Sequence, residues 1–224
     1  MPSPKGPTAA VNPQPFNASG LLAGSAAPNL PDGEPGKVSV LQIGPLGKDG
    51  GSGSLPFAFR NNTSQAVSHI DWAATARNGG AIVATGSSQG TIPAQVQPGE
   101  VGIAFIFFDG NSQLPPENAK YEFSVKTSSA DQAAYNTAAL KVTEANTSGD
   151  AIVGAAVNDT GKTVAGPFAV SVYCFDGNNL LSHHGAFTQQ DGPTATGGQV
   201  TFTDALYGAT CPTFAVGVAG YFEG

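Results

Sequence analysis

One pentapeptide has the residue types and spacing of a serine nucleophile. Gly86-Ser-Ser-Gln-Gly90 matches the pattern G-x-S-x-G, in which a strand turns sharply into a helix and exposes the hydroxyl of the central serine, here Ser88. The segment that follows contains Pro93 and Pro98, which a helix interior does not tolerate. The sequence therefore predicts a serine-rich loop. We assign no catalytic residue and predict that the chain is not an enzyme.

The histidines and the acidic turns lack the spacing of a metal site. His183 and His184 are adjacent, so on a strand they point to opposite faces, and His69 stands alone. The Asp-Gly turns at 109–112 and 176–179 offer oxygen atoms that Ca²⁺ prefers, but neither has the regular spacing of an EF-hand loop. Turn chemistry accounts for both segments, so we predict no metal and no cofactor.

Two further patterns bear on carbohydrate. The chain contains five formal glycosylation sequons, which begin at Asn17, Asn61, Asn62, Asn146 and Asn158. Asparagine and threonine are also typical turn residues, and we interpret the sequons in that way. Trp72 together with Tyr121 and Tyr173 could form a carbohydrate-binding surface, whereas core packing is the more usual role of a strand tryptophan.

Cys174 and Cys211 are the two cysteines of the chain, and they make a disulfide candidate. The first lies within a predicted strand and the second just before the strand predicted at 214–219, which neighbouring strands of a sandwich could bring together. Closing the loop between residues 174 and 211 with a disulfide would stabilise the fold by about 3–4 kcal/mol. The alternative is a pair of buried thiols that pack as small apolar groups.

The strands that must position these residues occur twice. An alternating apolar run at 170–175 is followed by Asp176-Gly177, which supplies the positive φ of a hairpin turn. A similar segment stands 98 positions earlier, with Asn78-Gly79 in place of Asp176-Gly177. We predict an all-β chain of two tandem immunoglobulin-like β-sandwiches, since seven or so short strands in about 90–95 residues are typical of that fold. We call residues 37–130 the first module and residues 131–224 the second module.

Three short motifs resemble those of the bacterial immunoglobulin-like adhesion-type (CARDB) and FxLYD domains. They are Asn158-Asp-Thr-Gly161, Val172-Tyr-Cys-Phe-Asp176 and Gln97-Pro-Gly-Glu100, and Phe105-Ile-Phe-Phe-Asp109 is similar to F-x-L-Y-D at another place in the repeat. The resemblance covers residues 37–224. It implies an immunoglobulin-like sandwich and does not imply an active site.

Residues 1–36 form a Pro- and Gly-rich N-terminal arm. Its prolines interrupt any helix or central strand, and its composition buries too little apolar area to offset the entropy of ordering. We therefore predict that the arm lies on a partner subunit of a larger assembly. The apolar residues available for those contacts are Phe16, Leu21, Leu22 and Leu30.

The composition limits the partners. A net charge of −7 with nine Lys and Arg argues against nucleic acid and anionic membrane, because both require basic patches. The N-terminus lacks the apolar core of a signal peptide, and no apolar run is long enough for a membrane span.

These patterns predict a non-enzymatic structural surface subunit, tethered by its N-terminal arm to other protein subunits of a larger assembly. A homo-oligomer is one form that the assembly could take. A virion decoration or tail-type protein fits best. The alternative is an exported bacterial cell-surface adhesion or ligand-binding protein, for example a lipoprotein ectodomain. We therefore expect the protein on a virion, at the cell surface or outside the cell.

Overall fold

A computed structural model describes residues 11–110 and 114–223 of the chain. These residues contain thirteen strands and no helix, which confirms the all-β class. Among them, therefore, no helix is long and apolar enough to cross a membrane. In chain order the strands are β1 Val38–Ile43, β2 Gly47–Asp49, β3 Ser52–Asn61, β4 Val67–Asn78, β5 Ala81–Ile92, β6 Val101–Phe108, β7 Lys120–Ser129, β8 Thr137–Thr147, β9 Ala151–Val157, β10 Val164–Asp176, β11 Asn179–Phe187, β12 Gln199–Ala205 and β13 Thr213–Phe222.

The strands form two antiparallel sheets, one in each module. The first sheet has the order β1-β3-β6-β5-β4-β7, with the short β2 paired to β3, and the second has the order β11-β10-β13-β8-β9-β12. The two orders can be compared by matching β8 to β1, β9 to β3, and β10, β11, β12 and β13 to β4, β5, β6 and β7. With this matching each strand has the same neighbours in both sheets when the ends of each order are joined into a circle. The first sheet is open between β1 and β7, and the second between β11 and β12. The same strand arrangement thus occurs twice, opened at two different places.

A buried asparagine closes the same turn in each module. The side-chain amide of Asn61, which is fully buried, donates to the carbonyls of Gln65 and Val96, at 2.8 and 2.9 Å. The Asn158 amide, also fully buried, donates at 2.8 Å to the carbonyls of Lys162 and Thr194. Because both side chains are enclosed, neither can carry a glycan in the folded protein.

Each module has its own apolar core. In the first module Trp72 is 3% exposed, and its ring lies 5.2 Å from Phe57 and 5.3 Å from Phe59, so the tryptophan is a core residue. In the second module Val172 and Cys174, on one face of β10, are fully buried in the core. On the opposite face of β10, Tyr173 and Phe175 are also buried, and they face the first module.

A third apolar cluster joins the two modules. It contains Ile92 and Ile103 of the first module, Tyr173 and Phe175 of the second, and Leu22 of the arm, all of them buried. Polar contacts add to this interface. The Gln42 amide donates to the Asn178 carbonyl at 2.9 Å, and the Leu180 N–H donates back to the Gln42 side-chain oxygen at 3.0 Å.

Candidate functional site

The arm, of which residues 11–36 are described, lies across both modules, and we treat its binding groove as the candidate functional site. On the first module the Gln14 N–H donates to the Gly99 carbonyl at 2.9 Å. A few residues later the Ser19 N–H donates to a carboxylate oxygen of Glu100 at 3.1 Å. Glu100 is 1% exposed, and its other carboxylate oxygen accepts from the Gln97 N–H.

A buried guanidinium fixes the arm at two further points. Arg60 is 3% exposed and donates to the carbonyls of Gln14 at 2.6 Å, of Gly99 at 2.7 Å and of Pro31 at 3.3 Å. Burial lowers the pKa of Arg60, and the charge of Asp32 opposes that shift. Two of these three acceptors, Gln14 and Pro31, belong to the arm, so detachment of the arm would leave the Arg60 guanidinium with the Gly99 carbonyl alone.

On the second module the arm joins the sheet through an isolated antiparallel β-bridge. Ala23 and Val216 exchange both backbone hydrogen bonds, at 3.1 and 2.9 Å, and the Ala26 N–H donates to the Phe214 carbonyl. The Leu21 carbonyl accepts from the Val142 N–H at 3.0 Å. This is the place where β8 leaves β13, since β8 pairs with β13 up to Leu140 and with β9 from Lys141 onward. The arm therefore fills the gap between two diverging strands.

The four apolar arm residues predicted as assembly contacts all lie against their own chain. Leu22 is 6% exposed and Leu30 is 8% exposed, the first in the cluster between the modules and the second against Ala58 and Val101. Phe16 is half-buried with its ring 6.0 Å from that of Phe175, and Leu21 is half-buried. A contact of these residues with a partner subunit stays a prediction.

Ser88 does not occupy a loop, and that part of the prediction is wrong. The pentapeptide that contains it lies within β5, and its hydroxyl accepts from the Trp72 N–H at 3.0 Å and lies 3.4 Å from the Ile70 carbonyl. Gly86 allows the strand to continue, because a Cβ there would lie 2.5 Å from the Phe107 carbonyl oxygen. The serine hydroxyl thus joins β5 to β4.

The adjacent histidines lie on different faces of β11. The His183 ring stacks on Phe105 of the first module at 3.9 Å and lies 4.8 Å from Tyr173. Burial, with a smaller contribution from His184, lowers the pKa of His183 to about 3. His184 lies 3.1 Å from the Ser182 hydroxyl, and burial lowers its pKa against the opposing charge of Asp150. Within the described ranges no three His, Cys, Asp or Glu residues are grouped as a metal site would require.

The acidic turn at 176–179 serves the contact between the modules. Gly177 adopts a φ of 56°, as the predicted hairpin requires. The Asn178 side chain accepts from the N–H of Asn29 in the arm at 2.8 Å, and its carbonyl accepts from Gln42. In the turn at 109–112, Asp109 and Gly110 are described, whereas residues 111 and 112 lie outside the described ranges.

Cys174 and Cys211 are joined by a disulfide with an S–S distance of 2.01 Å, across a sequence separation of 37. It ties core strand β10 to the segment before β13. Disulfides persist in oxidising compartments, so this bond fits an extracellular location.

Two other polar features leave no signal in the sequence. Asp204 is 2% exposed, one of its carboxylate oxygens has no hydrogen-bond partner among the described residues, and burial raises its pKa to about 6. A cleft of about 340 Å³ lies between the modules and is lined in part by His69, Asp71, Gln89 and Tyr221. Alternation along single strands cannot indicate such a cleft, because its walls come from both modules.

The sequence matches no protein-family model and no curated protein.

Proposed function

We propose that the protein is a non-enzymatic structural subunit displayed on the surface of a larger assembly, of the virion decoration or tail type. The observation that carries the proposal is the strand-like attachment of the arm at Ala23 and Val216. A segment held by backbone hydrogen bonds in a gap of its own sheet can make the same bonds in that gap of a neighbouring copy, as in strand exchange. Such an arm is suited to linking subunits.

The contact between the modules supports the same proposal. Tyr173 and Phe175 pack against Ile92 and Ile103, and the arm covers this contact, so the two modules form a firmly joined unit. We propose that each module is an immunoglobulin-like sandwich, a fold that recurs in surface proteins. The irregular registers within the pairs support this assignment, because a bulge bends a strand and lets a single sheet fold over its own core.

The location can be tested on the source cells and on the particles that they release. Particles and cell fractions would be separated, treated with a reagent that does not cross membranes and that labels exposed lysines, and analysed by quantitative mass spectrometry. We expect labelled protein in fixed stoichiometry with the particles. Recovery from the cytosol alone, without label, would refute a surface subunit.

The second candidate is an exported cell-surface protein that binds a ligand. The polar cleft between the modules favours it, since Asp71 and Gln89 stand beside Tyr221, which is 42% exposed. Polar side chains next to an aromatic ring suit a carbohydrate. Binding to a glycan array that is lost in Tyr221→Ala and kept in Tyr207→Ala, a tyrosine that is 89% exposed outside the cleft, would favour this candidate.

A further inference from the structure

Strand β7 is an open edge of the first sheet. Its described pairing is with β4 alone, and among the described residues no backbone group outside β4 bonds to residues 120–129. Tyr121, Phe123 and Val125 are half-buried over the aromatic core, and Phe123 lies 5.0 Å from Phe57. An edge of this length offers a row of free N–H and C=O groups to another strand.

The second module shows that the equivalent edge is used. In the first module Phe123 of β7 pairs with Ala74 and Val125 pairs with Trp72. In the second module Val216 of β13 pairs with Val172 and Val218 pairs with Val170. The two patterns match, so β13 is the counterpart of β7. On the far side of β13, Val216 pairs with Ala23 of the arm and Val218 pairs with Leu140 of β8.

Within the described residues the first module lacks this closure, and Pro35 accounts for the difference. Val38 of β1 pairs with Asn61, and the register of β8 with β9 places Leu140 opposite the equivalent Asn158, so Val38 corresponds to Leu140. To close the first module in the same way, the residues just before Val38 would have to extend along β7. Pro35 has no N–H to donate. The Gly36 N–H donates instead to the Asn62 carbonyl, which turns the chain away along β3.

We propose that two copies of the protein pair through β7, antiparallel and centred on Ser124. In this register Glu122 of each copy stands opposite Lys126 of the other on the exposed face, and Phe123 stands opposite Val125 on the half-buried face. Opposite charges and apolar residues in directly opposed positions stabilise a strand pair. The twofold axis makes every contact occur twice.

The charges disfavour three nearby registers. A pair centred on 122 opposes Glu122 to itself, one centred on 123 opposes Lys120 to Lys126, and one centred on 126 opposes Lys126 to itself. Like charges in directly opposed positions are destabilising. Centring on Ser124 also continues the alternation of charge on β4, where Arg77 bonds Glu122 at 2.9 Å and Asp71 is paired with Lys126.

Two edge strands bury less area than the roughly 1,600 Å² of a standard interface, so we expect a dissociation constant in the micromolar range or weaker. Sedimentation analysis of the full chain from micromolar to millimolar concentration should show a monomer–dimer equilibrium. Glu122→Lys and Lys126→Glu should each weaken the dimer about tenfold, because attraction becomes repulsion at both symmetric pairs. The double variant should restore it, and Glu144→Lys, the same charge change at an exposed position of the second module, should have no effect.

Cross-linking tests the register independently. In Ser124→Cys the two introduced thiols would lie across the axis with Cα atoms about 4.5–5.5 Å apart. In Ser128→Cys, which is as exposed on the same strand, they would be about 27 Å apart. We expect rapid disulfide-linked dimer from the first variant and none from the second.

A monomer at every concentration, or equal cross-linking of the two cysteine variants, would overturn the proposal. A dimer whose dissociation constant is unchanged by the charge reversals, but which is lost on deletion of residues 2–10, would also overturn the proposal. That result would show that the N-terminal segment, and not β7 of a second copy, pairs with the β7 edge. The inference does not depend on the proposed function, since it concerns pairing in solution.

Discussion

Replacing Leu22 by alanine should loosen the arm from both modules at once. Leu22 is 6% exposed and packs in the cluster that contains Ile92 and Tyr173, one from each module. Truncation of a buried leucine typically costs about 2–5 kcal/mol, from the lost apolar contact and the cavity that remains. The free energy of unfolding of a domain is about 5–15 kcal/mol, so the loss should be large.

Thermal and chemical unfolding would measure the global loss, and limited proteolysis would measure local detachment of the arm. Leu21→Ala is the matched control, because Leu21 is the adjacent residue, is half-buried, and bonds the second module through its backbone carbonyl alone. We expect the control to lose less than about 1 kcal/mol. In the Leu22 variant we expect cleavage within residues 11–36 well below the melting temperature.

Equal stability losses in the two variants would refute this reasoning. An arm that stays resistant to protease in Leu22→Ala would also refute it, since the backbone bonds at Ala23 and the carbonyls around Arg60 would then hold the arm without the leucine.

Three further predictions concern titration and the disulfide. His183 has a depressed pKa when folded, so the neutral form is favoured, and the free energy of unfolding should fall as pH drops through about 6.5 towards 3. Between pH 7 and pH 5 the wild type should lose about 2 kcal/mol more of its free energy of unfolding than His183→Phe does. Superimposable pH profiles of the two proteins would contradict this. Asp204 has a raised pKa, so the protonated carboxyl is favoured in the folded protein. Its contribution to the free energy of unfolding is present at low pH and is lost as pH rises through about 6. Asp204→Asn should therefore be more stable than the wild type by about 1–3 kcal/mol at pH 7, with the gain vanishing below pH 4, and a lower stability throughout would contradict it. Reduction of the disulfide, or the variant with both Cys174→Ala and Cys211→Ala, should lower the free energy of unfolding by about 2–5 kcal/mol in chemical denaturation, and an unchanged denaturation midpoint would show that the bond constrains little.

The alternation of apolar and polar residues predicts where the strands lie, but it does not predict which part of the molecule packs on each strand face. In β10 the alternation correctly separates Val172 and Cys174 from Tyr173 and Phe175. Both faces are apolar, and the sequence cannot say that one lies in a module core while the other contacts a second module. That distinction depends on the packing of residues distant in sequence, such as Ile92 and Ile103.

The candidate site was the hardest part to predict. Alternation in β3 places Arg60 on the face opposite Phe57 and Phe59, which for a charged residue indicates solvent, yet the arm covers that face. The arm binds largely through its backbone, and backbone groups leave no residue pattern. Its apolar residues were identifiable, but the surface that receives them forms only when both modules are in place.

The attachment of the arm also sets an order of events during synthesis. The arm is made first, but Phe214 and Val216, which it pairs with, lie in the last strand of the second module. Ribosomes add residues from the N-terminus, so the arm has no complete groove until β13 has emerged. Its docking is then a late closing step, and the arm and β13 stay accessible to other nascent or finished copies until it happens.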